Sequence, residues 1–272
     1  MGINIAMGLK VMSEYSDYWS EHPLFGCPYI KSVMAKRRYE KLCQYLHCSL
    51  PTEEAAGDKL RKVRPFITRC NERFCQIYSP SQNLSMDEAM IEYNGRLSWK
   101  QYLPLKPVKW GIKLWCLCDS DTGYCLKFEV YTGAAINVAQ GKGLGYRVVM
   151  GLTDLYLNTN RHVFADNYFT SVPLAEVLLQ HNTYLCGTTR ASRKEFPNAL
   201  GDLYMRQGDS AKWTNENGVM LVKWHDKRDV CLISTDDDGK DAVKAVRRKG
   251  QVIELAVPHV VQRYNASMGG VD

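Results

Sequence analysis

The stretches LSMDEAMI, residues 84–91, and HVFAD, residues 162–166, decide the fold class of this 272-residue chain. Each is a short, largely apolar run, which is typical of a buried β-strand. Each also carries an acidic residue, because Asp87 interrupts the first run and Asp166 ends the second. Side chains at the ends of strands in α/β folds emerge into the crevice beside the sheet. The two aspartates are therefore candidate functional groups on a predicted sheet.

Strand and helix patterns alternate around these two runs. Further strands are predicted at residues 112–118, 124–131, 183–187, 219–224 and 230–234, and helices at residues 146–157 and 173–181. Apolar residues instead recur at helical spacing over residues 1–12, 32–48 and 64–78. The sequence thus predicts a helical region followed by an α/β core with a mixed sheet and flanking helices.

The composition excludes several classes of protein. With 45% hydrophobic and 24% charged residues, the chain is expected to fold rather than to be disordered. No apolar run approaches the roughly 20 residues of a transmembrane helix, so no membrane partner is expected. The formal net charge of +6 suits a polyanionic partner.

The ten cysteines are expected to be free thiols of an intracellular protein. Their spacing does not match the Cys-x-x-Cys pairs of structural zinc sites, and we expect no zinc in this chain. Cys43, His47 and Cys48 could offer three ligands on one helix, but buried thiols are the commoner arrangement. The acidic run from Asp236 to Asp238 is predicted to be a solvated loop.

Asp87, Asp166 and Asp272 are the candidate catalytic acids. Each has a structural explanation when taken singly: Asp166 as a helix cap, Asp87 as a paired surface acid and Asp272 as a terminal residue. Carboxylates gathered in one cleft, however, repel one another unless cations neutralise them. Oxygen ligands of this kind select Mg²⁺ or Mn²⁺, and two such ions assist phosphoryl transfer. Together the three residues predict a metal-dependent site that cuts nucleic acid.

Two basic segments are candidate DNA-binding surfaces. No acidic residue occurs between Tyr93 and Cys118, where cations alternate with aromatic side chains that can stack on bases. A solvated hairpin with core aromatics is the alternative explanation. A second cluster follows the strand predicted at residues 183–187. The cations of the two segments are Arg96, Lys100, Lys106, Lys109 and Lys113, and then Arg190, Arg193 and Lys194.

A series of short blocks, in order, resembles the piggyBac transposase family. The blocks are SMDEAM (85–90), NGR (94–96), KQYLPLKP (100–107), WGIK (110–113), CDS (118–120), GY (123–124), YTG (131–133), DNYFTS (166–171), PL (173–174), GTTR (187–190), YN (264–265) and MGGVD (268–272). A single block such as the last would be weak support. Their common order over nearly the whole chain is specific.

The resemblance implies a ribonuclease-H-like core in which Asp87, Asp166 and Asp272 hold two Mg²⁺ or Mn²⁺ ions. Glu88 and Asp119 rank next among the acids, and we expect them to make structural hydrogen bonds. Enzymes of the family cut the ends of their elements in double-stranded DNA by hydrolysis and transesterification, and insert at TTAA targets. The resemblance further implies a nuclear location and a homodimer of the full-length protein.

The family pattern also implies a domain organisation. Residues 1–80 would be part of a helical DNA-binding and dimerisation region, 81–202 the catalytic core, 203–258 a β-rich insertion and 259–272 the start of the helix of the third aspartate. Family members continue beyond that aspartate, so we expect a fragment, a truncated gene product or a domesticated remnant. Two functions stay open: a metal-dependent DNA transposase, and a transposase-derived DNA-binding or interaction protein without turnover.

Overall fold

A computed structural model describes residues 2–133, 143–248 and 251–271 of the chain. The chain divides into two compact units, residues 1–67 and 68–272. The helices are α1 Gly2–Leu9, α2 Pro28–Val33, α3 Lys36–Tyr45, α4 Arg64–Ile77, α5 Gly143–Thr153, α6 Val172–Gln180, α7 Asn198–Gly201 and α8 His259–Ser267, and short 3-10 helices lie at Tyr15–Trp19, Pro51–Glu53, Asp154–Tyr156 and Met268–Gly270. Within the described ranges, every helix is too short or too polar to cross a bilayer.

The first unit is helical, as predicted, and has a small core of its own. Ile3, Tyr18 and Ile30 are buried together. The Tyr18 hydroxyl donates to the carbonyl of Met7 at 3.0 Å and to that of Lys10 at 2.6 Å. These bonds satisfy carbonyl groups that the end of a helix leaves without intrahelical partners.

The predicted continuous helix over residues 32–48 is wrong. Helix α2 ends at Val33, and α3 begins at Lys36. Met34 and Ala35 between them have extended backbones. The indole N–H of Trp19 donates to the Met34 carbonyl at 2.8 Å. A tertiary hydrogen bond thus stabilises the break, although the apolar spacing continues across it.

The second unit is built on one large mixed sheet. Its strands are β1 Asn83–Glu92, β2 Gln101–Tyr102, β3 Trp110–Asp119, β4 Cys125–Val130, β5 His162–Ala165, β6 Tyr184–Thr189, β7 Ser210–Thr214, β8 Met220–His225 and β9 Asp229–Ser234. The order is β3-β1-β5-β6-β9-β8-β7, and both β2 and β4 pair with the outer edge of β3. The β1–β5 and β5–β6 pairs are parallel, and the others are antiparallel. A separate hairpin joins β10 Asp241–Arg248 to β11 Gln251–Pro258. The predicted mixed sheet is confirmed.

Helices cover both faces of this sheet. On one face, helices α5 and α6 pack on a large core that includes Leu84 and Met86 of β1. On the other face, Val260 and Val261 of α8 pack on Phe164 of β5. Side chains alternate between the two faces along each strand. Asp87 therefore lies on the face opposite Met86, which is the face that α8 covers.

Gly187 of β6 sits beside Ala165, the last residue of β5. A Cβ atom at position 187 would lie 2.2 Å from Thr170 Oγ1 and 2.5 Å from the Ala165 carbonyl oxygen. Thr170 Oγ1 itself donates to the Asp166 carbonyl at 2.8 Å. A side chain at this position would therefore displace the turn that follows β5.

Gly187→Ala is expected to lower the free energy of unfolding by about 1–3 kcal/mol through overpacking. Urea denaturation monitored by circular dichroism would measure the loss. Gly151→Ala in α5 is the matched control, since a Cβ there meets no atom within 4 Å. That variant is expected to be neutral or up to about 1 kcal/mol more stable. Equal destabilisation of both variants would contradict the packing argument.

Candidate active site

Asp87 on β1 and Asp166 directly after β5 occupy matching positions on two neighbouring parallel segments. Met86 of β1 pairs with Ala165 of β5, and each aspartate is the next residue along its strand direction. Met86 and Ala165 both point into the core under α5 and α6. Alternation then directs both aspartates to the α8 face of the sheet. The two predicted acids thus lie on the same face of the sheet, and the third, Asp272, lies outside the described residues.

Tyr264 of α8 faces the two aspartates. Burial raises the pKa of its phenol, a hydrogen bond with Thr188 opposes that rise, and the charges of Asp166 and Asp87 raise it further. Its hydroxyl lies 3.5 Å from Thr188 Oγ1 on β6. Tyr264 belongs to one of the sequence blocks that resemble piggyBac transposases, yet it was not among the predicted site residues.

After α8, the chain returns to β1. A Cβ atom on Gly270 would lie 2.4 Å from Ser85 Oγ and 2.9 Å from the Asp119 carbonyl oxygen, so only glycine allows this approach. Val271 then packs against the cluster of Leu114, Cys116 and Cys118 on β3. The described chain therefore ends on the face of the sheet that carries Asp87.

The environment of Asp166 disfavours its ionised form. Burial raises the pKa of this carboxyl group, and the charge of Glu88 adds to the rise. The backbone N–H of Tyr168 donates to Oδ1 at 2.9 Å and acts in the opposite direction. A buried carboxylate beside other acids gains most from a nearby cation. The two aspartates offer only oxygen atoms as ligands, and the ionised form of one of them is disfavoured. Such a pair suits Mg²⁺ or Mn²⁺.

The two acids that ranked next make structural interactions, as expected. Glu88 forms an ion pair with Lys113 across β1 and β3. Asp119 is fully buried. Its Oδ1 accepts from the backbone N–H groups of Asp121 at 2.9 Å and Thr122 at 3.0 Å. Its Oδ2 accepts from the Ser81 N–H at 2.5 Å. These contacts fix the turn between β3 and β4 and the entry to β1.

The predicted cations of the first basic segment differ in their surroundings. Arg96 and Lys109 are exposed. Lys100 lies over the Trp110 ring, with Nζ 5.4 Å from the ring centroid. Lys106 donates to the Glu88 carbonyl at 3.1 Å, and the ammonium of Lys113 is paired with the Glu88 carboxylate. Lys100, Lys106 and Lys113 are therefore engaged in contacts within the protein.

The second basic cluster braces the turn after Asp166. Arg190 Nε lies 3.3 Å from Asn167 Oδ1. Arg193 donates to the Asn167 carbonyl and, at 3.2 Å, to the Tyr168 carbonyl. Lys194 is exposed. A cavity of about 410 Å³ beside this turn is lined in part by Arg190, Thr188 and Arg228.

The chain is similar to known proteins that identify its family. A family model described as Transposase IS4 matches residues 1–272. The human piggyBac transposable element-derived protein 3 is 26% identical over 285 residues, covering 100% of this chain and 47% of that protein. The human piggyBac transposable element-derived protein 2 is 29% identical over 290 residues, covering 99% of this chain and 48% of that protein. The chain belongs to the piggyBac-type transposase family.

A solved structure of the piggyBac transposase supports the same assignment at the level of fold. That cryo-EM structure is a synaptic complex with hairpin DNA, and its chain matches with a TM-score of 0.81 and 28% sequence identity. The match covers 100% of this chain and 56% of that one. It confirms the predicted ribonuclease-H-like core. This chain spans about half the length of the curated piggyBac-derived relatives that it matches.

The acidic run after β9 is not a solvated loop, contrary to the prediction. The Asp236 and Asp237 side chains are only 11% and 1% exposed. Asp237 and Asp238 also form, with His259 of α8, a group of three ligand atoms that lie within 4.8 Å of one another among the described residues. This group lies at the first residue of α8 and does not include the predicted aspartate triad.

Asp236 anchors α8 to the sheet. Its Oδ2 lies 2.7 Å from Arg263 Nη2 of α8 and 2.6 Å from His162 Nδ1 of β5. Burial opposes ionisation, but hydrogen bonds from His162 and Arg263 lower the pKa of Asp236 to about 2. Since Tyr264 follows Arg263 directly, this ion pair also fixes the position of a side chain that faces Asp87 and Asp166.

Asp236→Asn is expected to cost about 2–3 kcal/mol of stability at pH 7, somewhat less than a fully buried ion pair would cost. A carboxyl group with a depressed pKa stabilises above its ordinary value of 3.8, and that contribution disappears as the pH falls through about 2. The difference in the free energy of unfolding between wild type and variant, measured by urea denaturation, should therefore shrink as the pH falls from about 4 to 2. Asp202→Asn, at an exposed position, is the control. A difference that does not vary with pH would contradict this account.

Proposed function

We propose that the full-length protein containing this chain is a metal-dependent DNA transposase that cleaves and joins strands at a site formed by Asp87, Asp166 and Asp272. The observation that carries the proposal is the placement of Asp87 and Asp166. They follow the paired residues Met86 and Ala165 on parallel strands and share one face of the sheet. In the proposal, Asp272 joins them as the third ligand, directly after the segment that packs on β1.

The donor set supports a divalent cation at this site. Transposases of the DDE class generally use divalent metal ions. Asp87 and Asp166 would hold Mg²⁺ or Mn²⁺, which favour carboxylate oxygens. Such a centre supplies activation of the attacking oxygen and stabilisation of the leaving oxygen at a phosphodiester. Tyr264, half-buried beside both carboxylates, would restrict the space around them and limit entry of water from the α8 side.

We further propose that the substrate is double-stranded DNA, with transposon ends and TTAA targets as the specific sequences. The structural neighbour is a piggyBac transposase complex with hairpin DNA, which supports DNA binding in general. In this proposal residues 1–80 are part of the DNA-binding and dimerisation region of a homodimer, and residues 203–258 are an insertion in the core at residues 81–202. Chemistry on chromosomal DNA places such a protein in the nucleus.

A second function has its own support. The human relatives bear names that describe them as proteins derived from transposable elements. A protein of that kind could keep the fold and the DNA-binding surface but lack turnover. The placement of Asp87 and Asp166 after paired residues of two parallel strands supports the transposase, and we carry the DNA-binding protein without turnover as the alternative.

Strand cleavage of TTAA-flanked end DNA in Mg²⁺ by the full-length protein tests the first proposal. Asp166→Asn removes a carboxylate that would hold the metal, so we expect cleavage to fall by at least about a hundredfold, beyond the 10–100-fold cost of losing a residue that only supports a ligand. DNA binding should persist in this variant, and Asp202→Asn should cleave normally. Binding without cleavage by the wild-type protein would support the alternative function. Absence of both binding and cleavage would contradict both.

The salt dependence of DNA binding tests the basic segment. Each phosphate contact contributes a slope of about −0.9 in a plot of log K against log salt concentration. Lys109→Ala removes an exposed cation, so we expect weaker binding and a slope reduced by about one contact. Lys113→Ala is the matched comparison, because the Lys113 ammonium is paired with Glu88. It should lower stability and leave the slope unchanged. The reverse pattern, measured by fluorescence anisotropy, would refute this division of roles.

A further inference from the structure

The group formed by Asp237, Asp238 and His259 is separate from the proposed catalytic acids. Asp237 and Asp238 lie in the turn between β9 and β10, and His259 is the first residue of α8. One ligand atom from each lies within 4.8 Å of the other two. The three side chains thus converge from two elements on one point, which is an arrangement that can hold a cation.

Asp237 carries an independent sign of a missing partner. Its side chain is 1% exposed, and Oδ1 accepts the backbone N–H of Gly239 at 2.9 Å. The other oxygen, Oδ2, is buried and has no hydrogen-bond donor in the described part of the chain. His259 Nδ1 lies 3.4 Å from it, and Arg263 Nη1 lies 3.9 Å from it. Burial of a carboxylate oxygen without a hydrogen bond is costly, and a bound cation would remove that cost.

Neighbouring charges leave this point negative. Asp236 is engaged with Arg263 and His162, and Asp238 pairs with Lys240 at 2.7 Å. The three carboxylates of residues 236–238 therefore outnumber the two cationic side chains of Arg263 and Lys240. Arg263, at 3.9 Å from Asp237 Oδ2, reduces the attraction for a metal ion, but it lies beyond hydrogen-bond distance of that oxygen. One of those atoms is an imidazole nitrogen, which sites for Mg²⁺ rarely contain.

We propose that Asp237, Asp238 and His259 bind a Zn²⁺ ion. Two carboxylate oxygens and one imidazole nitrogen form a ligand set that zinc accepts, with a fourth position left for water. The side chains of His259 and Asp238 are each 49% exposed, so the ion can enter from solvent. The expectation of no zinc rested on the spacing of the cysteines and does not concern a site made of carboxylates and imidazole.

Zinc at this point would join the β9–β10 turn to the first residue of α8. The Asp236–Arg263 ion pair already connects the same two elements one helical turn further along. The ion would therefore stabilise the start of the helix that carries Tyr264. This inference does not depend on the proposed transposase activity, since the site is built from other residues.

Isothermal titration calorimetry with ZnCl₂ tests the proposal on the whole chain carrying Asp166→Asn, which weakens metal binding at the catalytic acids. In excess MgCl₂, we expect one zinc ion per chain, at a site that responds to two of the three variants below and not to the third. His259→Ala removes a ligand and should lower the affinity at least about a hundredfold, more than the loss of a residue that only orients a ligand. Asp238→Asn, at a half-exposed position that tolerates substitution, should lower it at least tenfold. His181→Ala, a solvent-exposed histidine, should leave it unchanged.

Three results would overturn the inference. The first is the absence of any zinc binding by the Asp166→Asn chain. The second is a zinc affinity that does not differ among the three variants, which would place the ion elsewhere, for instance on the thiols. The third is equal binding of zinc and magnesium at this site. Circular dichroism of each variant verifies folding, and loss of cleavage in the full-length protein would leave these outcomes unaffected.

Discussion

The parallel pairing of β1 with β5 is the constraint on which the rest of the site depends. Because Met86 and Ala165 are partners and both face the core under α5 and α6, the next residue of each strand must turn to the opposite face. A shift of one residue in either strand would move an aspartate into the apolar core. The buried residues of β1 and β5 therefore hold Asp87 and Asp166 in register, although neither residue takes part in the core.

Helix α8 completes the site because it is held at its middle and just beyond its end. At its middle, Asp236 binds Arg263 and also reaches His162 at the beginning of β5. Beyond its end, Gly270 lies against β1 at a distance that no other residue allows. Between these two attachments, Tyr264 has little freedom of position over the carboxylates. The charged network and the glycine contact thus fix α8 on either side of Tyr264.

Much of this fold follows from local sequence pattern. The runs at residues 84–91 and 162–166 predict β1 and β5, because a short apolar run between turn residues favours a strand whatever its neighbours are. The break between α2 and α3 does not follow, because it depends on a hydrogen bond from Trp19, fifteen residues earlier in the chain. Tyr264 was missed for a similar reason. A single polar aromatic residue on a helix gives no local indication that two distant aspartates will lie beside it.

Charge patterns are harder still to interpret, because the sequence shows a charge but not its partner. Asp236 and Asp237 look like part of a solvated run, yet folding buries both against α8. Lys113 looks like one of five cations available to phosphate, yet Glu88 neutralises it. A charged side chain is most available to DNA or a metal ion where the fold supplies no buried opposite charge at hydrogen-bond distance. By that criterion the exposed Arg96 and Lys109 are stronger candidates for phosphate contacts than Lys113, and Asp237, whose Oδ2 has no hydrogen bond among the described residues, is a stronger candidate for an ion than Asp236.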